Sequence, residues 1–256
     1  MLIASQDDVS EAQEDYYAMD HYHLKPPDGR PRWSNSELAG SVATCALLQL
    51  MYENPKAMVA RGAVANGNDD STEHHHTPWS ALDILQEIQQ RIKTCSRLDA
   101  NPTISASRPL GPPRFDEGVY APYQIVPPNY VHGKRRALLI GCVSGGENLL
   151  KAALNDVHNI HRFLVTHCGF QEENIVSLEE SIKVPLNRQP TKKNIVDGFA
   201  KLIKESKPGD VNFIQFSGHG NRSDTNLYIM PSDWKQNGCI MDDKILKVKS
   251  VHCMDL

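Results

Sequence analysis

The sequence predicts an α/β fold built on a mainly parallel sheet, and observations in its second half support that prediction. Residues 137–143, 174–178 and 211–216 form short apolar runs with the length and composition of buried strands. Two amphipathic segments with helical periodicity separate these runs. The order strand, helix, strand, helix, strand implies parallel pairing with right-handed crossovers, and such sheets carry their sites beyond the carboxyl ends of the strands.

Capping and stop residues bound the two predicted helices. Asn155 or Asp156 can cap the first helix, and Gly169 ends it. Thr191 caps the second helix, and Pro208-Gly209 stops it. Both helices carry one apolar face, formed by Val157, Ile160, Phe163 and Leu164 in the first and by Ile195, Phe199, Leu202 and Ile203 in the second. Each helix therefore has a side that can pack on a sheet.

The first half of the chain has a different composition. Twelve of the 16 prolines precede residue 134, and seven of them fall between Pro102 and Pro128. We therefore predict a Pro-rich, largely disordered leader over residues 1–132 and a folded domain over residues 133–256. Two short helices are predicted inside the leader, at Ser36–Glu53 and Ser80–Lys93.

Composition excludes several classes of function. The 256 residues contain 27 Lys and Arg against 31 Asp and Glu, a formal net charge of −4, which argues against nucleic acid as a partner. An apolar run of about 20 residues, as a membrane span requires, is missing from the sequence. The early acidic residues do not fit a secretory signal, and the six cysteines contain no CxxC pair. We expect a soluble, cytoplasmic protein with reduced thiols and no membrane partner.

The residues most suggestive of chemistry follow the third predicted strand. His219 lies between Gly218 and Gly220 in the sequence SGHG, at the expected carboxyl edge of the sheet. Histidine is the side chain best suited to proton transfer near neutral pH, and the flanking glycines let a substrate backbone approach. A loop histidine that only makes a structural hydrogen bond is the alternative interpretation.

The surroundings of this histidine resemble a type I metacaspase, of the caspase-like cysteine peptidases (C14 family), over residues 134 to about 246. The motifs that carry the resemblance are NDV, QPTKKNI, KPGD, FSGHG, PSD and IMDD, in that order. It implies a caspase-like three-layer αβα fold, here incomplete after the third or fourth strand of its sheet. The Pro-rich leader is similar to the prodomain of that family.

The resemblance also implies roles for individual residues. His219 matches the catalytic histidine, which serves a cysteine nucleophile in peptide-bond hydrolysis after Arg or Lys. Asp156 and Ser217 match the pocket that binds this basic residue of a peptide or protein substrate. Asp242 and Asp243 match a pair that binds an activating calcium ion. Read without the resemblance, Asp156 can be a helix cap and the Asp pair an acidic helix start.

The expected nucleophile motif, D-x-C-H-S-G, does not occur in this sequence. In caspases the cysteine follows the histidine by about 50 residues, whereas this chain ends at Leu256. Cys253 could follow a short fourth strand at 248–251, but it lacks the glycine expected after a nucleophile, and Cys239 lies in a turn. We therefore expect the chain as written to be inactive as a peptidase.

Two other functions fit the residues. The first is a non-catalytic pseudopeptidase that pairs with an active full-length paralogue. The second is a phosphate-binding α/β domain that uses GCVSGGEN after the first strand, although the sequence GK[ST] of such loops is missing there. Hydrolysis of an Arg or Lys ester that depends on His219 would favour the peptidase over both alternatives.

Overall fold

The computed structural model describes residues 2–4, 41–53, 81–95, 102–105, 132–144, 149–150, 152–222 and 227–241. In chain order its helices and strands are β1 (Leu2–Ala4), α1 (Val42–Glu53), α2 (Ala81–Cys95), β2 (Thr103–Ser105), β3 (Arg135–Gly141), α3 (Ala152–His167), β4 (Ile175–Glu179), α4 (Lys192–Lys204), β5 (Val211–Ser217), β6 (Gly220–Arg222), β7 (Leu227–Ile229), α5 (Trp234–Asn237) and β8 (Ile240–Met241).

A parallel sheet of three strands, in the order β4-β3-β5, carries the predicted fold. β3 lies in the middle, where Ala137 pairs with Ile175 of β4 and with Phe213 of β5. The predicted α/β class with a mainly parallel sheet is therefore confirmed. The first strand begins two residues earlier than predicted because its pairing with β5 already starts at Arg135.

The two faces of β3 are covered by different helices, which gives the domain three layers. Ala137 and Leu139 point to the face where α3 packs, and Leu138 and Ile140 point to the face where α4 packs. This alternation follows from the period of two along a strand, and burial on both faces explains why residues 137–141 of β3 are all apolar. The sheet thus lies between α3 and α4.

Both predicted leader helices are present, and both share the core of the domain. Buried side chains of α1 and α2 lie in one cluster with Val157, Ile160 and Phe163 of α3. The ring of Tyr52 in α1 also meets the ring of Phe163 edge-on, with 5.6 Å between centroids. Residues 54–80 and 106–131 are outside the described residues, so the leader boundary and its predicted disorder remain predictions.

The beginning of α3 differs from the prediction. The helix starts at Ala152 rather than at Asn155 or Asp156, and Asp156 lies in its second turn with no exposed surface. Its carboxylate therefore does not cap the helix but accepts hydrogen bonds from Ser217 and Ser41. The second predicted cap is confirmed, because the Thr191 hydroxyl accepts a hydrogen bond from the Asn194 amide at the start of α4.

A small antiparallel sheet, which the sequence did not predict, follows the parallel one. β7 pairs with both β6 and β8, and the Met230 amide donates to the carbonyl of His219 at 3.0 Å. A further antiparallel sheet, of two strands, pairs β1 with β2. Among the described helices, none combines the length and the apolar character that crossing a membrane would require.

Candidate functional site

The predicted site lies at the carboxyl edge of the parallel sheet, where β3 and β5 end side by side. The Cys142 amide, just past β3, donates to the carbonyl of Ser217, the last residue of β5, at 2.8 Å. A Cβ atom on Gly218 would come within 2.8 Å of the Cys142 Cβ, so this position has no room for a side chain unless its neighbour moves. Half-buried His219 follows directly, at the edge where the sequence places it.

Asp156 and Ser217 are brought together at this edge although 61 residues separate them. The Ser217 hydroxyl donates to Oδ2 of Asp156 at 2.6 Å, and the Ser41 amide donates to Oδ1 at 2.8 Å. Burial of the carboxyl raises the pKa of Asp156, and hydrogen bonds from Ser217, Ser41 and Thr44 oppose that rise. Asp156 therefore has a desolvated carboxyl group, and each of its two oxygens accepts a hydrogen bond.

A second carboxylate, Glu180, organises the loop that follows β3. It accepts hydrogen bonds from the amides of Val143 and Ser144 at 2.7 and 2.8 Å, and also from the Ser144 hydroxyl. Its own amide donates to the carbonyl of Gly141 at 3.0 Å. Sequence reasoning missed this residue. The available signal was an acidic residue directly after a strand, which is too common to single out one position.

Several motifs behind the family resemblance have structural roles here. Asp233, from PSD, accepts the amide of Lys192 at 2.7 Å and so satisfies the start of α4. Asp210, from KPGD, accepts bonds from Arg136 at 2.6 Å and from the Lys134 and Lys207 amides at 2.8 and 3.0 Å. Desolvation raises the pKa of Asp210, but these bonds outweigh it and leave the pKa below its ordinary value.

Cys142 and Cys168 are buried thiols, whereas a nucleophile must be a thiolate that a substrate can reach. Burial, followed by the negative charge of Glu180, raises the pKa of Cys142 far above its ordinary range. Burial likewise raises the pKa of Cys168 to about 12. Both thiols are therefore protonated at neutral pH, and neither is activated for attack.

Some of the predicted site residues cannot be placed. Asp242, Asp243 and Cys253 lie outside the described residues, so the predicted calcium pair and the alternative nucleophile remain predictions. In the described ranges, no group of three or more His, Cys, Asp or Glu side chains lies close enough together to hold a metal ion.

Comparison with known proteins shows which proteins the second half of the chain is similar to. Residues 135–254 match the family model described as "Metacaspase, peptidase C14 domain". Metacaspase-1 of Saccharomyces cerevisiae is 32% identical over 165 residues, which cover 57% of this chain and 37% of the yeast protein. Metacaspase-1B of Aspergillus terreus is 38% identical over 123 residues, or 44% of this chain and 32% of the relative. The chain thus spans about a third of the length of these relatives.

Proposed function

Because this chain is metacaspase-like over residues 135–254, we propose that it functions as a cysteine-type endopeptidase domain that selects protein substrates at Arg or Lys. The observation that carries the proposal is the hydrogen bond of 2.6 Å between the buried carboxylate of Asp156 and the half-buried Ser217, at the strand end that leads to His219. The relatives supply the peptidase class, and the pair supplies the preference for a basic side chain.

Asp156 is suited to selecting a cation because its carboxylate is fully buried. A buried carboxylate gains most from a partner that brings a positive charge and hydrogen-bond donors, as Arg and Lys do. A neutral side chain in the same place would leave the charge unpaired, which costs several kcal/mol by the usual order of magnitude. Ser217 holds the carboxylate in position through its hydroxyl.

His219 is proposed as the group that moves the proton. Its imidazole can take the proton of a cysteine thiol and pass it to the leaving amine, so that a peptide bond breaks as a thioester forms. The glycine before it, Gly218, lets the end of β5 pack closely against Cys142 and so fixes where the histidine lies. Two of the thiols in the described part of the chain, Cys142 and Cys168, are not activated, so the proposal requires a thiol other than these two.

A pseudopeptidase is the second candidate, and the protonated state of those same two thiols favours it. In this version the Asp156 pocket still binds a basic side chain, but the domain binds a substrate or an active paralogue without cleaving. The two candidates share the pocket and differ only in whether the peptide bond breaks.

One experiment tests the proposal and separates its two versions. The chain is incubated with a fluorogenic amide that ends in Arg and with a matched amide that ends in norleucine. We expect the Arg compound alone to bind, with binding strongly reduced in Asp156→Asn, and release of fluorophore that is lost in His219→Ala would support the active peptidase. Binding of the Arg compound without release would support the pseudopeptidase. Equal behaviour toward Arg and norleucine would overturn both versions.

A calcium ion and a cytoplasmic location complete the proposal. Asp242 and Asp243 directly follow β8, and adjacent carboxylates offer the oxygen ligands that calcium prefers. The four cysteines of the described residues, Cys45, Cys142, Cys168 and Cys239, are all free thiols, which suits a reducing compartment such as the cytoplasm.

A further inference from the structure

The loop between β4 and α4 places two large aliphatic side chains in solvent. Ile182 is fully exposed and Leu186 is 86% exposed, more than any other large apolar side chain that the structure describes. Burial of these side chains against a partner would be favourable, because apolar surface removed from water stabilises a contact in proportion to its area. Two such side chains on one short loop therefore indicate a surface that binds something.

Side-chain hydrogen bonds hold this loop in one shape. The Gln189 side chain donates to the carbonyls of Ser181 and Val184 at 2.5 and 3.2 Å. The Asn194 side chain donates to the carbonyls of Leu186 and Gln189 at 2.9 and 2.8 Å. The loop is therefore formed before any partner arrives, and a preformed loop loses little conformational freedom when it binds.

The charge of the loop indicates the chemistry of its partner. Residues 181–193 contain no acidic side chain and four basic ones, Lys183, Arg188, Lys192 and Lys193. The two lysines of α4 already have protein partners. The other two cations are exposed in the loop itself, one directly after Ile182 and one two residues after Leu186. A segment that combines aliphatic with acidic side chains complements this surface, whereas a basic segment would be repelled.

The loop begins at the edge of the sheet that carries the proposed site. Glu180, which precedes it, accepts the amides of Val143 and Ser144 just past the end of β3. Because β3 alone separates β4 from β5, and neighbouring strands lie about 4.8 Å apart, the ends of β4 and β5 are about 10 Å apart. An extended peptide covers that distance in about three residues. A substrate bound at His219 can therefore reach the loop with residues close to its scissile bond.

We propose that the loop at residues 181–188 is a docking site for protein substrates, which binds a segment rich in acidic and aliphatic side chains. Ile182 and Leu186 contact the aliphatic side chains of that segment, and Lys183 and Arg188 attract the acidic ones. The inference rests on the proposed peptidase function and adds a substrate class to it. These substrates carry such a segment a few residues away from the Arg or Lys that the pocket selects.

A random peptide library displayed on phage tests the docking site without using the basic pocket. The full chain and its double variant, Ile182→Ser with Leu186→Ser, serve as baits. We expect the full chain to enrich peptides that combine Asp or Glu with Leu, Ile or Phe, and the double variant to bind them at least about tenfold more weakly. Leu149→Ser changes another exposed leucine and should bind them like the wild type. Equal binding by both baits, or enrichment of basic peptides, would overturn the docking site.

Linked peptides test whether the docked segment belongs to a substrate. An enriched peptide is joined by about three to six Gly or Ser residues to either side of Ala-Ala-Arg, a spacing that matches the distance between the strand ends. We expect one orientation to bind at least about tenfold more tightly than either part alone, as titration calorimetry would show, because linkage raises the effective concentration. The gain should be lost in the double variant and with norleucine in place of Arg.

The outcomes separate this inference from the function on which it rests. No gain in either orientation, with Ala-Ala-Arg still preferred over its norleucine analogue, would overturn docking of substrates and leave the proposed function standing. No preference for Arg in any peptide, with docking of the enriched peptide intact, would overturn the proposed function and the substrate class with it.

A charge-reversal variant covers the case in which the first double variant does not fold. Lys183→Glu with Arg188→Glu keeps both aliphatic side chains and should lose the acidic peptides. Two other occupants are tested with the same variants. A dimer in sedimentation velocity that only the wild type forms would assign the loop to a second copy of the chain. Binding to phosphatidylserine vesicles that only the wild type shows would assign it to a lipid surface. Either result would overturn the substrate docking site.

Discussion

The two faces of the parallel sheet are covered to different extents. On the face of Ala137 and Leu139, both residues are fully buried beneath α3 and the leader helices α1 and α2. On the opposite face, α4 covers Leu138, but its two neighbours in register, Val176 and Ile214, are each 37% exposed. The sheet therefore has a closed face and a partly open one.

The difference shows what the leader helices contribute. Without α1 and α2, only α3 would cover the closed face. The open face is covered in that way by α4 among the described residues. Burial of apolar surface stabilises a fold in proportion to area, so these helices are part of the hydrophobic core although they come before a Pro-rich segment. Composition alone would have assigned them to a linker.

The largest expected effect tests whether the leader stabilises the closed face. Ile88 of α2 has no exposed surface, and Ile88→Ala should lower the free energy of unfolding by about 2–5 kcal/mol through lost burial and a residual cavity. Urea denaturation measures the change. Val176→Ala, on the open face, is the matched control and should cost less than about 1.5 kcal/mol. Similar costs for both would show that α2 does not contribute to the core.

Calcium should act on the open face, because Ile240 of β8 packs there and directly precedes Met241 and the Asp pair. At 100 times its dissociation constant, calcium should add about 2.7 kcal/mol to the free energy of unfolding. Thermal denaturation with calcium, with magnesium as the control ion, measures this effect. A double variant, Asp242→Asn with Asp243→Asn, should lose the response, and an equal response in that variant would exclude the pair as ligands.

Asp156→Asn should stabilise the fold, by less than Ile88→Ala destabilises it. Burial raises the pKa of Asp156, so the folded state favours the protonated acid, and wild-type stability falls as the pH rises from the unfolded pKa through the folded one. Asn keeps an oxygen acceptor and carries no charge. Denaturation at pH 7 and pH 4 should give a larger stabilisation at pH 7, and the reverse order would contradict a raised pKa.

The smallest expected effect concerns His158 on α3, whose Nε2 lies 3.0 Å from Oε2 of Glu179. The hydrogen bond raises the pKa of His158 and lowers that of Glu179. The pair therefore stabilises the fold most between the unfolded pKa values of Glu and His, about 4.3 to 6.5, and loses this as the pH rises through the folded pKa of His158. Because His158 is more than half exposed, His158→Gln should cost below about 1 kcal/mol at pH 5.5.

The local features of the fold were predictable, and the long-range ones were not. The three parallel strands and the cap at Thr191 follow from short-range patterns of apolar residues and capping hydroxyls. The true start of α3 was missed because Asn155 and Asp156 offer a local cap, whereas the Asp156 carboxylate is held by Ser217 from a distant strand. The strands β6, β7 and β8 have two or three residues each, too few to show a period.

The candidate site divides in the same way. His219 could be located from its place after a strand, since strand ends are visible in the sequence. The hydrogen bonds of Glu180 to the loop after β3, and of the Ser41 amide to Asp156, could not be predicted from the sequence. Both join a side chain to backbone amides, and every residue except proline has an amide. Such contacts leave no mark on residue types.

Gly198 on α4 has a consequence for the open face. A Cβ atom there would come within 3.0 to 3.1 Å of both methyl groups of Leu138, so the helix rests on this leucine through bare backbone. The missing side chain at Gly198 therefore sets the distance between α4 and the strands. A larger side chain at residue 138 would push α4 away from the sheet. A side chain at residue 198 would fit only if residue 138 became smaller.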